Sequence, residues 1–149
     1  MRTANRIQRL GPVRRVAEQK EQEAATQLAD TIRDLRDAEG MLAQLIQYRA
    51  NYVRGDRKPR VDAIQWQDYH AFIAKLDQAI GGQQAIIEDQ RHRVGNARAH
   101  WQVAHARVSA LVKLTQKLQD THRQLMERRA QRELDERSQQ HSVSQPFGR

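Results

Sequence analysis

The stretch WQDYHAFIAKLDQAIGGQQAIIEDQRHRVGNARAHWQVAHARVSALVKLTQKLQDTHRQL, residues 66–125, decides the fold. Every seventh residue belongs to one mostly apolar set, and the residue three places later belongs to a second. The first set, at heptad position a, is Trp66, Ile73, Ile80, Ile87, Val94, Trp101, Val108, Thr115 and His122, and the second, at position d, is Tyr69, Leu76, Gln83, Gln90, Ala97, Ala104, Leu111, Leu118 and Leu125. Kept for about nine repeats without a proline, this pattern predicts one continuous coiled-coil helix. At roughly 90 Å, that helix is too long to fit inside a small globule.

A similar pattern precedes this stretch and predicts a first helix over residues 3–52. The leucines at position a are Leu28, Leu35 and Leu42. Position d is held by Leu10, Ala17, Ala24, Thr31, Ala38, Leu45 and Tyr52. Arg14, Glu21 and Arg49 stand at position a and weaken the two ends of the pattern. Since proline is tolerated only in a first helical turn, we expect the well-formed helix to begin at Pro12, after a frayed or kinked start.

One strong turn signal separates the two patterns, over residues 53–61. Gly55 and Pro59 interrupt the helix there, and Asp62 followed by Gln65 indicates a capped helix start. We therefore expect the second helix to run from 62 to about 137, followed by a disordered tail at 138–149. The predicted fold is all-α: a long antiparallel two-helix coiled-coil hairpin over residues 1–137, with unequal arms.

The turn also sets an expected register for the hairpin. If Tyr52 lies near Asp62, the numbers of residues that face each other sum to about 114. The first helix then ends opposite Ala110, and the second projects alone from Leu111 onward. Gly81, Gly82 and Gly95 lie off the a and d positions. They are either surface glycines or, for the pair Gly81 and Gly82, the mark of a bend or a close approach.

Charge is high and unevenly distributed. Charged residues make up 30% of the 149 residues, the net charge is +8, and there is no cysteine. No acidic residue precedes Glu18, and none lies between Asp89 and Asp120. The expected register brings these two acid-free segments together as one positive surface. Nucleic acid, an anionic membrane surface or an acidic protein are the partner classes that such charge favours.

Several kinds of chemistry find no support in the sequence. The spacing of His92, His100 and His105 does not match the pairs that bind metal from one helix face. There is no glycine-rich phosphate loop, nucleophile elbow or carboxylate pair, and two helices form no enclosed pocket. We expect no catalysis, no metal and no cofactor. Without an apolar leader or a run of 18 apolar residues, we expect a cytoplasmic protein.

Aromatic residues crowd just after the turn. Trp66, Tyr69 and Ile73 belong to the a and d positions, but Phe72 and Ala79 occupy position g beside them. Two helices cannot fully cover so wide an apolar stripe. It is either a widened core or a docking patch for a partner.

At these residues the chain resembles the flagellar export protein family FliJ. The resemblance rests on the segment WQDYHAFI at residues 66–73 and on Leu76, Ala79 and Ile80, with Tyr48 and Tyr52 before the turn and Trp101 in mid-helix. Near the end, Glu127-Arg128-Arg129, Gln131-Arg132 and Leu134-Asp135-Glu136 resemble the closing motif of the family. The likeness covers residues 10–137.

The resemblance implies a non-enzymatic, stalk-like component of flagellar type III protein export. Its implied partners are the hexameric export ATPase FliI, the cytoplasmic linker of the export gate protein FlhA, and flagellar export chaperones. It would be cytoplasmic and peripherally associated with the inner membrane through protein partners.

Two sets of residues carry these implied contacts. The export gate would contact Phe72, Leu76, Ala79 and Gln83. The ATPase ring would contact the basic side chains Arg6, Arg9, Arg14, Arg15, Lys113, Lys117, Arg128, Arg129 and Arg132, which the charge distribution also singles out; Arg98 would contribute to the same positive surface. Two other interpretations remain open, namely the equivalent stalk of a virulence injectisome, and a basic coiled-coil adaptor that binds nucleic acid or an anionic lipid surface.

Overall fold

A computed structural model describes residues 2–55 and 63–143 of the chain. These residues form two helices, α1 (Arg2–Val53) and α2 (Ala63–Val143), of 52 and 81 residues, and no strand occurs among them. The predicted all-α helical hairpin is confirmed. Within the same described ranges, neither helix has an apolar stretch long enough to cross a membrane.

Glycine ends α1 at the predicted turn. The N–H of Arg54 donates to the carbonyl oxygen of Ala50 at 3.0 Å, which continues the helical hydrogen bonding by one residue. Gly55 then adopts a φ of +132°, which side-chain-bearing residues rarely adopt. The other expected turn features, including Pro59 and the Asp62 cap, lie outside the described residues.

α1 spans Arg2–Val53, close to the predicted range 3–52, and it contains Pro12, so the later start expected at Pro12 for the well-formed part does not occur. An internal proline removes one backbone hydrogen bond and costs about 3 kcal/mol. Ile7 and Leu10, in the two turns before it, are half-buried. Their packing offsets part of that cost and keeps the preceding segment helical.

α2 also runs further than expected, to Val143 instead of about residue 137. Residues 138–143 are therefore helical where disorder was expected. Glutamine is a good helix former, and the Ser142 hydroxyl donates to the carbonyl oxygen of Gln139 at 2.9 Å. Residues 144–149 lie outside the described part of the chain.

Both helices contribute to two compact units. The first comprises Met1–Glu21 and Ala104–Arg149, and the second comprises Gln22–Val103. We call them the terminal unit and the turn unit.

The turn unit packs along the predicted a and d positions. Its most buried side chains are alanines on α1 and mostly larger residues on α2: Ala24, Ala38, Tyr69, Leu76, Ile87, Val94 and Ala97, all at 8% exposure or less. Two glutamines stand among them at position d. Gln83 Nε2 donates to the carbonyl oxygen of Ala38 at 3.0 Å, whereas Gln90 Oε1 is buried and accepts no hydrogen bond from the described residues.

The terminal unit continues the same pattern. Ala104 and Thr115 are buried, and the Thr115 hydroxyl donates to the carbonyl oxygen of Leu111 at 2.7 Å within its own helix. This internal bond lets a polar residue occupy a core position without a partner on the other helix. His105 Nδ1 lies 2.9 Å from Glu21 Oε1, which joins the two helices at the unit's edge.

The register of the hairpin differs from the expected one. Arg49, expected opposite Gln65, donates from Nε to Asp77 Oδ1 at 2.6 Å. Glu21, expected opposite Arg93, instead meets His105. Both pairs lie roughly three helical turns further along α2 than predicted. The prediction assumed that the chain folds back at once after Tyr52.

This register changes where α2 loses its partner helix. The predicted projection from Leu111 is wrong, since Leu111 and Leu118 are half-buried and Thr115 is buried. Half-burial ends at His122, and residues 123–143 are exposed throughout. We call residues 123–143 the exposed end of α2.

Two expected core residues lie at the limits of the packed region. Trp66 is 50% exposed and Leu125 is 49% exposed. Tyr52, one residue before the last residue of α1, stacks on Tyr69, so Trp66 lies about one turn beyond the cover of α1. Their assignment to a continuous core is corrected accordingly.

Candidate functional site

Five aromatic rings form a cluster where α1 ends in the turn unit. Tyr52 stacks on Tyr69 with ring centroids 5.4 Å apart, and it contacts Phe72 at 4.6 Å. Tyr48 meets Phe72 edge-on at 6.3 Å, and Trp66 stacks on Tyr69 at 5.9 Å. Such contacts hold each ring in a fixed position. The cluster therefore presents its outer rings as a preformed surface.

The four residues expected to contact the export gate lie together here, but they differ in accessibility. Ala79 is exposed and Phe72 is half-buried. Leu76 is only 8% exposed, so its side chain belongs to the core between the helices. Gln83 is half-buried and its amide is bound to Ala38. Phe72 and Ala79 are thus the members that a partner reaches without separating the helices.

Three further apolar residues extend this accessible surface. Ile86 follows Phe72 and Ala79 at the next position g of α2, and it is 50% exposed. On α1, Tyr48 and Met41 also occupy position g, at 45% and 59% exposure. In an antiparallel pair, positions g of both helices flank the same side of the core, as the Tyr48–Phe72 contact illustrates. We call these five residues the g strip.

The sequence contained the signal for the g strip. Phe72 and Ala79 had already been recognised at position g, and applying the same heptad count to Ile86, Tyr48 and Met41 would have found the rest. Trp66 was missed as an exposed ring for a different reason, since its exposure depends on where α1 ends.

The glycines beside this surface have open surroundings. A Cβ atom added to Gly81, Gly82 or Gly95 would meet no atom within 4 Å. All three are exposed within α2. The interpretation of a close approach at Gly81 and Gly82 is therefore wrong, and all three glycines lie at the surface of α2.

The basic residues expected to contact the ATPase ring all lie in the terminal unit. Arg6, Arg9 and Arg15 of α1 are exposed, as are Lys113 and Lys117 of α2. Arg14 is partly neutralised, since its Nε lies 2.9 Å from Glu18 Oε1. Arg98, which was expected to contribute to the same positive surface, is exposed and falls in the turn unit instead.

The exposed end of α2 carries charges of both signs. Its arginines are Arg123, Arg128, Arg129, Arg132 and Arg137, and its acidic residues are Glu127, Glu133, Asp135 and Glu136. Ion pairs one helical turn apart partly neutralise it: Arg129 lies 3.9 Å from Glu133, and Arg123 lies 2.9 Å from Asp120 just before it. The excess of positive charge in this unit is therefore greatest along α1 and the facing part of α2.

Metal-binding side chains do not converge in this structure. Among residues 2–55 and 63–143, no three His, Asp or Glu side chains lie close enough to hold one ion. His92 pairs with Glu88 at 3.6 Å, one turn away on the same helix.

The fold and these surfaces define a two-helix coiled-coil hairpin that exposes an apolar strip in one unit and a basic region in the other. A model of the family described as "Flagellar FliJ protein" matches residues 6–146 of the chain. The chain is also 28% identical over 141 residues to the Flagellar FliJ protein of Escherichia coli (strain K12), which covers 92% of this chain and 95% of that relative.

The chain therefore belongs to the FliJ family. Membership of that family makes it a component of flagellar protein export. The predicted resemblance is confirmed.

Proposed function

We propose that this chain is a non-enzymatic stalk that links the hexameric export ATPase FliI to the export gate protein FlhA and assists flagellar export chaperones. It acts in the cytoplasm and reaches the inner membrane through its protein partners. The observation that carries this proposal is that the two candidate surfaces lie in different units of one chain. In this proposal each surface binds its own partner.

The g strip is the part of the proposal that concerns the gate. Phe72 and Ala79 make the direct contact, while Leu76 holds α2 against α1 and Gln83 fixes the adjacent turn through Ala38. Exposed apolar residues in a row are the usual anchors of a helical or extended partner segment. The rigid rings behind Phe72 lower the entropic cost of binding.

The basic region is the part that concerns the ATPase ring. Arg6, Arg9, Arg14, Arg15, Lys113, Lys117, Arg128, Arg129 and Arg132 are proposed to face an acidic surface of the ring. Exposed charges interact weakly and at long range, so they hold a stalk without fixing it in one rotational position.

Gate binding is tested by Ala79→Glu, a change at an exposed position that leaves the core intact. We expect it to weaken binding to the purified gate linker at least about tenfold, because a charge enters an apolar contact. The matched control is Val103→Glu, which adds the same charge at an exposed apolar residue of the same unit. Equal binding by both variants in calorimetry would contradict the gate assignment.

Ring binding is tested by replacing Arg128, Arg129 and Arg132 together with Glu. We expect this variant to lose stimulation of ATP hydrolysis by the purified ATPase. A control with the same change in net charge replaces Arg33, Arg36 and Arg98, all exposed in the turn unit. If the first variant stimulated as well as the unmodified chain, the exposed end of α2 would not contact the ring.

A further inference from the structure

A second apolar surface, separate from the g strip, lies in the terminal unit. It is a groove of about 410 Å³ between the helices, lined on α1 by Val13, Val16 and Ala17 and on α2 by Ala110 and Leu111. Val13 is 51% exposed and Val16 is 54% exposed, so the groove opens to solvent along α1. Neither the gate contact nor the ring contact uses any of these five residues.

Two basic side chains line the groove. Lys20 and Arg107 are the two charged residues that line it, and both are basic. The α2 side of the groove, residues 107–111, comes from the acid-free part of the sequence between Asp89 and Asp120. The α1 side, residues 13–20, contains Glu18, which is paired with Arg14 at 2.9 Å. The basic Arg15 adjoins Val16, and Lys113 follows Leu111 by two residues.

We propose that this groove binds an acidic amphipathic helix of a partner protein. Two antiparallel helices leave a long apolar furrow that a third helix fills with side chains spaced three and four residues apart. The valines and alanines supply a shallow apolar floor, and Lys20 and Arg107 attract carboxylates that flank the apolar stripe of the incoming helix. A basic or uncharged helix would lack the second interaction.

The proposal favours a helix over nucleic acid because of the groove's chemistry. Phosphate backbones need basic side chains and gain little from aliphatic ones. Here the lining is mainly aliphatic, with one basic residue on each helix. The proposal is also independent of which export partner supplies the helix, so it does not depend on the ring or gate contacts.

The test uses the full chain and a fluorescein-labelled, stapled 18-residue peptide with leucines on one helical face and glutamates on the others. We expect anisotropy to detect binding, and backbone amide NMR shifts to be concentrated at Val13, Val16, Ala17, Ala110 and Leu111. A scrambled peptide of the same composition, without the apolar stripe, should bind at least about tenfold more weakly. A short DNA duplex should not displace the amphipathic peptide at 150 mM salt.

Two variants separate the apolar and the charged parts of the interaction. Val13→Ser with Val16→Ser should weaken peptide binding at least about tenfold while leaving the helical circular dichroism unchanged, since both residues are exposed. Lys20→Glu with Arg107→Glu should weaken it and reduce its salt dependence. Val103→Ser, at an exposed residue of the turn unit outside the g strip, is the control and should bind normally.

Any of three results overturns the proposal. These are no binding of the amphipathic peptide, equal binding of the scrambled peptide, or displacement of the amphipathic peptide by the short DNA duplex at 150 mM salt. If Ala79→Glu lost gate binding or the triple variant at Arg128, Arg129 and Arg132 lost ring binding, the peptide test would be unaffected. Those residues lie outside the groove.

Discussion

At the scale of single residues, polar side chains in the core set how tightly and in which register the helices pair. Gln83 joins the helices through the carbonyl oxygen of Ala38, whereas the buried oxygen of Gln90 is left without a donor in the described chain. A buried polar atom without a hydrogen bond costs about 1–3 kcal/mol. Polar residues at core positions commonly fix one register at a cost in stability.

Replacing Gln90 by Leu should therefore stabilise the fold. The change removes the unpaired oxygen and adds apolar burial at position d, for a gain of about 1–2 kcal/mol in the free energy of unfolding. Gln83→Leu is the control and should gain less, because it gives up the bond to Ala38. Urea unfolding followed by circular dichroism measures both, and a loss of stability in Gln90→Leu would contradict this account.

The sequence predicted which residues pack between the helices. It did not predict the register in which the two helices align. Ile87, Val94 and Ala97 are buried as the heptad pattern requires, because burial at a and d depends only on helical periodicity. The register depends on how many residues the connection between the helices uses, and Tyr52 meets Tyr69 beyond the point that a tight turn would give. The exposure of the Trp66 ring depends on where α1 ends relative to α2, so the heptad pattern alone could not predict it.

At the scale of the helices, the register is the property that most needs a direct test. The chain contains no cysteine, so pairs can be introduced without background. Arg49→Cys with Asp77→Cys should be joined efficiently by a short bifunctional thiol reagent, since these side chains meet across the helices. Arg49→Cys with Gln65→Cys, which the tight-turn register would favour, should not. Preferential cross-linking of the second pair on denaturing gels would refute the register.

Two glycines, one inside α2 and one just after α1, provide a second test at this scale. Gly82 and Gly55 both have open space where a Cβ atom would stand, so packing does not distinguish them. Gly82 is helical, and Gly82→Ala should add up to about 1 kcal/mol of stability. Gly55 has a φ of +132°, so Gly55→Ala should cost about 1 kcal/mol or more. Thermal unfolding measures both variants. If the melting temperatures of both shifted in the same direction, the different backbone conformations assigned to Gly82 and Gly55 would be contradicted.

At the scale of the whole molecule, the helices distribute binding surfaces over two units. The g strip belongs to the turn unit, and the basic region and the groove belong to the terminal unit. The sequence indicated the basic region through its acid-free segments and two of the five g-strip residues, Phe72 and Ala79. It gave no sign of the groove, because Val13 and Val16 lie outside the a and d positions and become neighbours of Ala110 only through folding.

The central claim is that one chain holds the ATPase and the gate at the same time. It is tested most directly by size-exclusion chromatography with light scattering of a mixture of this chain, the ATPase and the gate linker, each purified. We predict a single peak whose mass contains all three, which Ala79→Glu reduces to the chain–ATPase complex alone. If the gate linker instead displaced the ATPase from the unmodified chain, the two partners would share one surface, and the account of a linking stalk would be wrong.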